Sequence, residues 1–299
     1  MRSLITGGRG FVGTWLADHL RQQGDDVVVI DREVEITDPD ALLAAVTDAA
    51  PDAIYHLAAL THVGESWADP LRVVDVNVMG TGALLAAARQ CGTGPRVLVT
   101  SSAEVYGTVT DASQLPLTEA SPTAPLTPYA ASKLAAEALV AQAFLGHGQH
   151  VVTVRPFNHI GPGQSPQFAV PALARRIVEA ERSGARTIPV GNLSARRDFT
   201  DVRDVVRAYR LLIGSGRPGG VYNVCSGRDV SIREIADGLA DLAGATLAFE
   251  VDPALVRPVE VPVLRGDPHR LAEATGWKPE IPLDQTLADV LDYWRRQPG

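Results

Sequence analysis

The sequence has 299 residues and contains very few cysteines and lysines. Its two cysteines, Cys91 and Cys225, are far apart and lie in no CxxC pair, which excludes a disulfide framework and a thiolate zinc site. No apolar run predicts a bilayer-spanning helix, and the N-terminus has no signal-peptide pattern. We therefore expect a cytoplasmic protein that does not associate with a membrane.

Basic residues are outnumbered by acidic ones, 27 to 35, and the formal net charge of -8 does not favour binding to nucleic acid. The seven histidines form no HxxxH pattern with acidic support, so no metal site is predicted. Neither the GxSxG elbow of α/β-hydrolases nor the lysine loop of P-loop enzymes occurs. What is present is a folded chain, 45% apolar, that is long enough for a large core.

The first half of the chain alternates between strand-like and helix-like segments. Short apolar runs predict strands at 3–6, 27–30, 53–57, 96–100 and 151–155. Helical spacing of apolar residues predicts helices at 11–24, 39–50, 70–91 and 129–146. This alternation is typical of right-handed βαβ units, so we expect an α/β protein with a parallel sheet.

In the second half, proline and glycine concentrate at 156–171 and 214–228, and short apolar strands mix with helices. We expect strands at 221–224 and 247–251, and helices near 202–213, 231–242 and 284–297. These elements predict a smaller α/β lobe beside the parallel sheet. The expected division is a first lobe over 1–155, to which a segment at about 196–224 returns, and a second lobe over 156–299.

A glycine-rich segment, TGGRGFVG (6–13), joins the first predicted strand to the first predicted helix. Gly7 and Gly10 would allow a tight turn beside a pyrophosphate, and Gly13 would allow close packing of the helix. The N-terminus of that helix would offer free N–H groups to phosphate. An ordinary glycine-rich turn is the alternative interpretation.

Asp31 ends the second predicted strand. A carboxylate at this position could hydrogen-bond to the ribose hydroxyls of a dinucleotide and would repel a 2′-phosphate, which favours NAD(H). Arg9 in the glycine loop and Arg32 beside Asp31 could instead pair with a 2′-phosphate. NADP(H) therefore stays open as the alternative cofactor.

Tyr129 and Lys133 are four residues apart on a predicted helix and therefore share one face. An ammonium beside a phenol lowers the pKa of the phenol, so Tyr129 could donate or accept a proton near neutral pH. Ser102 follows the strand at 96–100 and could bind a substrate oxygen beside Tyr129. Glu104 could act as a base toward a carbon acid or hold its own loop.

Four segments occur in an order and spacing that resemble the extended short-chain dehydrogenase/reductase family: TGGRGFVG (6–13), HLAAL (56–60), TSSAEVYG (100–107) and YAASK (129–133). Members of that family act on nucleotide sugars. The resemblance implies a Rossmann-type doubly wound parallel sheet of seven or so strands and a smaller C-terminal α/β lobe for the substrate. It also implies a homodimer built through a four-helix bundle from the helices at 70–91 and 129–146.

The family pattern implies roles for individual residues. Ser102, Tyr129 and Lys133 would form the catalytic triad, and Lys133 would also hold the nicotinamide ribose. Asn77 would support the site, and Arg155 would follow its strand beside the nicotinamide. The pair Glu35-Ile36 stands where the family often has an adenine-binding Asp–hydrophobic pair. The residues implied for the cofactor are Gly7, Arg9, Gly10, Phe11, Val12, Asp31, Arg32, Glu35, Ile36, Leu57, Ala58, Ala59, Thr100, Tyr129, Lys133, Pro156 and Asn158.

The second half is similar to GDP-6-deoxy-4-keto-mannose reductases and GDP-mannose 4,6-dehydratases in RPFNHIGPGQ (155–164), GNLSARRDFTDVRDVVRAY (191–209) and RPVEVPVLRGDPHRL (257–271). A sugar diphosphate carries negative charge that needs fixed guanidinium partners. In the family pattern, two arginines contact the diphosphate, two asparagines the nucleotide or sugar, and a glutamate a ribose hydroxyl. The residues implied for a GDP-sugar substrate are Ser102, Asn158, Asn192, Arg197, Arg257 and Glu260.

These relatives share one step, in which a hydride moves between the sugar C4 and the nicotinamide while the tyrosine moves a proton. The dehydratases place an acid or a hydroxyl where this chain has Ala103, which cannot supply a proton. We therefore expect NAD(P)H-dependent reduction of the C4 keto group of a GDP-4-keto-6-deoxyhexose. A redox-neutral 4,6-dehydratase or 4-epimerase is the alternative. The complete Ser–Tyr–Lys set argues against a catalytically silent nucleotide-binding regulator.

Overall fold

A computed structural model describes residues 1–255 and 261–298. The first half of the chain alternates between strands and helices, as predicted. Its elements are β1 (Arg2–Thr6), α1 (Phe11–Gln22), β2 (Asp26–Ile30), α2 (Pro39–Ala49), β3 (Ala53–His56), α3 (Val63–Ser66), α4 (Pro70–Val74), α5 (Gly80–Gln90), β4 (Arg96–Thr100), α6 (Pro128–His147) and β5 (Val151–Pro156). A π-helical segment, Asp75–Met79, joins α4 to α5.

The second half contains shorter strands between longer helices. Its elements are β6 (Asn158–Ile160), α7 (Ala169–Ser183), β7 (Thr187–Val190), β8 (Arg196–Asp201), α8 (Val202–Ser215), β9 (Val221–Val224), β10 (Asp229–Ser231), α9 (Ile232–Ala243), β11 (Ala248–Val251), β12 (Val263–Leu264), α10 (His269–Thr275) and α11 (Leu283–Arg296). The sequence does not predict α7, because Pro171 lies inside it. Pro171 occupies the first turn, where its missing N–H removes no helical hydrogen bond.

Six parallel strands form the main sheet, in the order β2-β1-β3-β4-β5-β9. Successive residues of β1 face opposite sides: Ile5 packs in a cluster with α1 and α8, and Leu4 in a cluster with α2 and α5. Helices thus cover both faces, which confirms the predicted α/β class with a Rossmann-type doubly wound parallel sheet. The described residues give this sheet six strands, where the resemblance implies seven or so.

Among the described residues, the second half of the chain forms two smaller sheets and a core of its own. β8 pairs with β6 and β12 in parallel and with β10 antiparallel, while β7 pairs with β11. Ile177, Leu239 and Leu291 join α7, α9 and α11 in a buried cluster of their own. β9 returns to the edge of the main sheet, where it pairs with β5. The lobe boundary at residue 155 stays a prediction.

The helical run from Pro70 to Gln90 differs from the sequence expectation in two respects. It is long and apolar enough to cross a membrane, with a mean hydropathy of 1.4, although half of it is buried inside the protein. Leu84 and Leu85 lie in the core beside α2. The run is also interrupted by the π-helical segment, and such insertions often mark functional sites.

Local signals at both ends fix the position of α6. The Thr127 side chain accepts a hydrogen bond from the Ala130 N–H at 3.0 Å, and Pro128 occupies the first helical position. Gly148 ends the helix in the left-handed region with φ of 67°. Tyr129 therefore lies in the first turn of α6.

Asp198 in β8 joins three segments of the second half. It is fully buried and accepts hydrogen bonds from the N–H groups of Ser226 (2.8 Å), Gly227 (2.9 Å) and Gly266 (3.3 Å) and from the Ser226 hydroxyl (2.6 Å). Burial raises the pKa of Asp198 to about 6, an effect that these hydrogen bonds partly offset. The carboxyl is therefore ionised at pH 7.5.

Asp198→Asn should lower the free energy of unfolding by about 1–3 kcal/mol, because the amide places an NH2 group against N–H donors. Urea unfolding at pH 7.5 measures this loss. Asp237→Asn, at a carboxylate 56% exposed on α9, serves as the control and should change the value by less than about 0.5 kcal/mol. Equal unfolding midpoints for Asp198→Asn and the wild type would contradict the prediction.

Candidate active site

A large cleft opens at the carboxyl ends of the parallel strands. It has a volume of about 1380 Å³ and is lined by residues that follow β1, β3, β4 and β5, by the start of α6, and by residues of the second half. Ligands of open α/β sheets bind at this edge. The residues predicted to bind the dinucleotide and those predicted to bind the sugar can therefore line one common cleft.

The glycine loop between β1 and α1 forms one wall of this cleft. Gly7 has φ of 67°, and a Cβ there would lie 2.8 Å from the Ala58 nitrogen. A Cβ at Gly13 would clash with the Gly7 carbonyl oxygen. The residue that caps α1 is Gly10, and the first turn of α1 carries no acidic side chain. Its unpaired N–H groups thus suit an anionic diphosphate, which fits the predicted dinucleotide.

Asp31 contacts the glycine loop directly. Its two carboxylate oxygens accept hydrogen bonds from the backbone N–H groups of Arg9 (2.9 Å) and Arg32 (3.0 Å). The Arg9 guanidinium makes a two-point ion pair with Glu33, with N–O distances of 2.9 and 3.1 Å. Asp31, Arg9 and Arg32, which favour different cofactors, are therefore neighbours in the wall of the cleft.

Ser102 and Tyr129 lie together at the cleft wall, and each is only 8% exposed. Burial raises the pKa of Tyr129 to about 12, a hydrogen bond with Ser102 lowers it in part, and the charge of Glu104 raises it further. The Glu104 backbone N–H donates to the Ser102 hydroxyl at 3.2 Å. The predicted pair of hydroxyls thus meets at a site where a ligand can reach both.

The predicted lowering of the Tyr129 pKa by Lys133 is not found, because burial of the phenol outweighs the other influences. The Lys133 Nζ instead donates to the Thr100 carbonyl at 2.7 Å. Burial also lowers the pKa of Lys133 to about 8, and the charge of Glu137 acts in the opposite direction. Tyr129 is therefore a proton donor at neutral pH in this structure.

Most of the predicted cofactor residues line the cleft. Within 1–255 and 261–298, the exceptions are Thr100 and Lys133, which lie behind its wall and contact each other. The lining residues are Gly7, Arg9, Gly10, Phe11, Val12, Asp31, Arg32, Glu35, Ile36, Leu57, Ala58, Ala59, Tyr129, Pro156 and Asn158.

Asn77, in the π-helical segment, connects the loop after β3 to α6. Its side chain exchanges hydrogen bonds with the backbone of Leu60, at 2.8 and 3.1 Å, and donates to the Ser132 hydroxyl at 2.9 Å. Ser132 donates in turn to the Tyr129 carbonyl at 2.7 Å. The supporting position that the resemblance implies for Asn77 corresponds to these contacts.

His56 is buried beneath the same wall and is neutral. Its ring nitrogens contact the hydroxyls of Thr6 (2.8 Å) and Thr81 (3.0 Å). Because the Thr81 hydroxyl donates to the Asn77 carbonyl, the His56 Nε2 must be the donor to Thr81. Burial, and secondarily the charge of Lys133, lowers the pKa of His56 to about 3.

Residues of the second half complete the opposite wall. Asn158, Asn192 and Arg197 line the cleft as predicted, and the Arg197 Nη1 donates to the Arg196 carbonyl at 2.8 Å. Asn192 accepts hydrogen bonds from Ser194. The other two implied substrate residues, Arg257 and Glu260, lie outside the described residues.

The cleft also contains residues that the sequence analysis does not single out. His159 and Gln164 belong to the segment RPFNHIGPGQ, whose resemblance to the family could have marked them as site residues. The buried Gln164 Oε1 has no hydrogen-bond partner among the described residues. Arg72 on α4 and Arg176 on α7 line the cleft as well. No sequence motif marks these two arginines, because their position follows from how the helices pack.

Arg155, which the resemblance places on the strand beside the nicotinamide, does not line the cleft. Val151 and Arg155 alternate along β5 with Val152 and Val154, which pack on the α1 and α8 side. The Arg155 side chain therefore points toward α6, where it contacts Glu137 instead of the cleft.

Comparison with known proteins identifies the family. A family model described as GDP-mannose 4,6 dehydratase matches residues 32–290. GDP-6-deoxy-D-mannose reductase of Pseudomonas aeruginosa is 40% identical over 98% of this chain and 97% of its own. The structure of RMD from Pseudomonas aeruginosa complexed with NADPH has a TM-score of 0.90 at 39% identity and covers 99% of each chain.

A second solved structure, the UDP-glucose 4-epimerase of Thermus thermophilus in complex with NAD, has a TM-score of 0.88 at 30% identity and also covers 99% of each chain. These matches extend over nearly the whole length of the proteins compared. The chain therefore belongs to the GDP-mannose 4,6-dehydratase family of NAD(P)-dependent nucleotide-sugar enzymes, within the extended short-chain dehydrogenases/reductases.

Proposed function

We propose that the protein reduces the C4 keto group of a GDP-4-keto-6-deoxyhexose, such as GDP-6-deoxy-4-keto-mannose, with NAD(P)H. The observation that carries the proposal is the Ser102–Tyr129 pair at the cleft wall, with the side chain of Ala103 beside it. A ketone reduction needs one proton donor, and Tyr129 is one. The similarity to the Pseudomonas aeruginosa reductase supports the same reaction.

In the proposed reaction, the nicotinamide supplies the hydride to the sugar C4 when it is bound. Tyr129 donates its phenolic proton to the C4 oxygen, for which its raised pKa keeps it protonated. Ser102 orients that oxygen by hydrogen bonding. Lys133 lies one helical turn from Tyr129, and its ammonium donates to the Thr100 carbonyl at the end of β4. The ribose contact that the resemblance implies for Lys133 stays a prediction.

The two lobes would bind different ligands, one the cofactor and the other mainly the substrate. Residues 1–155, together with about 196–224, hold the cofactor, and 156–299 mainly hold the GDP-sugar. Arg197 and Arg257 bind the diphosphate, Asn158 and Asn192 the nucleotide or sugar, and Glu260 a ribose hydroxyl. The position of Arg197, Asn158 and Asn192 in the cleft supports this assignment.

Glu104 favours one alternative function, because it also lines the cleft and its charge acts on Tyr129. A carboxylate there could remove the C5 proton in a 4,6-dehydratase. The likeness to the epimerase structure keeps a redox-neutral 4-epimerase as a further alternative. Both alternatives regenerate their cofactor, whereas the reductase consumes it.

The wild type should oxidise one NADPH or NADH for each GDP-6-deoxy-4-keto-mannose consumed. The Tyr129→Phe variant lacks the proton donor, so its kcat should be lower by about 100- to 10,000-fold while cofactor binding stays intact. Absorbance at the nicotinamide band and product analysis measure the first result, and cofactor fluorescence titration measures the binding. Tyr293→Phe on α11 is the matched control. If the protein instead converts GDP-mannose or UDP-glucose without net cofactor turnover, it is a dehydratase or an epimerase and the reductase assignment is wrong.

The ion pair of Arg9 with Glu33 bears on the choice between NADH and NADPH. Both side chains are exposed, at 68% and 41%, so the pair itself is weak. Glu33 nevertheless holds the guanidinium that a 2′-phosphate would need. Arg9 and Arg32 support use of NADPH and Asp31 supports use of NADH, while Glu33 competes with a 2′-phosphate for Arg9.

Glu33→Gln should raise the ratio of kcat/KM for NADPH to kcat/KM for NADH by about threefold, because it releases Arg9. Steady-state kinetics with each cofactor measure the ratio. Asp18→Asn, which breaks an exposed ion pair with Arg21 on α1, is the control and should leave the ratio unchanged. An unchanged or lower ratio in Glu33→Gln would contradict the role of Arg9.

We also propose that the protein is a cytoplasmic homodimer that associates through the helices at 70–91 and 129–146. Large apolar side chains are exposed on these helices: Leu71 and Leu145 at 80% each and Met79 at 61%. Large apolar side chains exposed on two adjacent helices are typical of an interface.

Leu71→Arg combined with Leu145→Arg should convert a dimer into a monomer, because it places charges in the buried interface. Light scattering coupled to size-exclusion chromatography gives the mass. Leu242→Arg, at an apolar side chain 43% exposed on α9, is the control and should leave the dimer intact. A wild-type protein that is monomeric at every concentration tested would exclude this assembly.

A further inference from the structure

A buried ion pair lies directly behind the wall of the cleft. The Arg155 Nε donates to the Glu137 Oε1 at 2.9 Å, and the Arg155 Nη2 donates to the Glu137 Oε2 at 2.7 Å. The two side chains are only 7% and 10% exposed. Glu137 lies one turn after Lys133 on α6, and Arg155 lies on β5. The pair therefore bridges the helix that carries Tyr129 and the neighbouring strand.

The segment that follows β4 also contacts the Glu137 carboxylate. The Ser101 hydroxyl donates to the Glu137 Oε1, and the Ser101 N–H donates to the Val154 carbonyl at 2.7 Å. Ser101 immediately precedes Ser102 in the chain. Glu137 thus links the segment that carries Ser102 to the helix that carries Tyr129.

The remaining donors of Arg155 are also engaged, so the guanidinium has a fixed position. Its Nη1 donates to the Tyr106 hydroxyl at 3.1 Å and to the Glu119 carbonyl at 3.4 Å, and its carbon lies 4.9 Å from the centre of the Tyr106 ring. The Tyr106 hydroxyl donates onward to the Asn223 Oδ1 at 2.7 Å. This network reaches from α6 across β5 to β9.

The ion pair also sets the charge around Lys133. Burial lowers the pKa of Lys133 to about 8, and the negative charge of Glu137 opposes that shift. Burial lowers the pKa of Arg155, but the hydrogen bonds and charge of Glu137 outweigh it and raise that pKa, so the guanidinium stays charged. The other titratable or charged groups around this cluster are His56, Glu104, Tyr106, Glu119, Tyr129 and Arg270.

We propose that Glu137 and Arg155 form a positioning unit for the active site, which holds Ser102 in register with Tyr129 and places a compensated negative charge beside Lys133. Both residues act through others, since in the described chain neither lines the cleft. The proposal rests on the proposed function. It concerns the C4 step that reductases, dehydratases and epimerases of this family share.

The test uses charge removal from each side of the pair. Glu137→Gln leaves the buried Arg155 cation uncompensated, so the basic limb of the pH profile of kcat should move down by about one pH unit. Arg155→Met leaves the Glu137 anion uncompensated, so the same limb should move up by a similar amount. The double variant should return the limb toward the wild-type position. A purely structural role would lower kcat without opposite displacements, so unshifted limbs or shifts in one direction overturn the proposal.

Two further variants keep the proposal testable if a single charge removal prevents folding. Ser101→Ala retains the ion pair but cuts its link to the Ser102 segment, and should lower kcat by about tenfold with KM for the cofactor unchanged. Unchanged kcat in a folded Ser101→Ala variant overturns the proposal. Glu181→Gln, which breaks the surface pair with Arg295, and Ser183→Ala on α7 are the matched controls and should leave the profile and kcat unaltered.

Failure of this inference is distinguishable from failure of the proposed function. A wild-type protein that does not reduce a GDP-4-keto-sugar counts against the reductase, and the same profiles are then measured with GDP-mannose or UDP-glucose turnover. An active wild type whose variants show no opposite displacement counts against the positioning unit alone.

Discussion

The hydrogen bond from the buried Lys133 ammonium to the Thr100 carbonyl is the constraint on which the site depends. It connects α6 to the end of β4, and it does so with a charge that has been removed from water. Burying an ammonium is expensive unless an acceptor and a counter-charge are present. Thr100 supplies the acceptor, and Glu137 on the next turn supplies the counter-charge. Tyr129 and Ser102 face each other at the cleft because the helix and the strand are connected in this way.

How much could be predicted from the sequence differs between elements for physical reasons. β4 and β9 have the predicted bounds, because each is a short apolar run with clear breaks on both sides. The π-helical segment, Asp75–Met79, has no such signal, since a helix with one extra residue per turn keeps the composition of an ordinary helix. The sequence does not predict α7 because it contains Pro171. A proline breaks a helix in its interior but not in its first turn, and the sequence alone does not show which applies here.

The candidate site divides in the same way. The glycine loop and the pair of Tyr129 and Lys133 could be found because their chemistry requires a fixed spacing along one chain segment. The direction of the Tyr129 pKa shift could not be predicted. Burial by segments distant in the sequence decides that direction, whereas the spacing along the helix indicates only the neighbouring ammonium. Arg155 shows the same limit. Its motif is recognisable, but the side of the sheet it faces depends on the alternation along β5.

The pair of Glu137 and Arg155 is not explained by stability alone. Replacing a buried ion pair with well-packed apolar residues is often neutral or stabilising, by about 1–4 kcal/mol, since desolvation of two charges offsets their attraction. An apolar pair at these positions would still join α6 to β5. It would not accept a hydrogen bond from the Ser101 hydroxyl, and it would remove the negative charge of Glu137 that acts on Lys133. The chemistry at Tyr129 therefore gives a reason for two buried charges that packing does not.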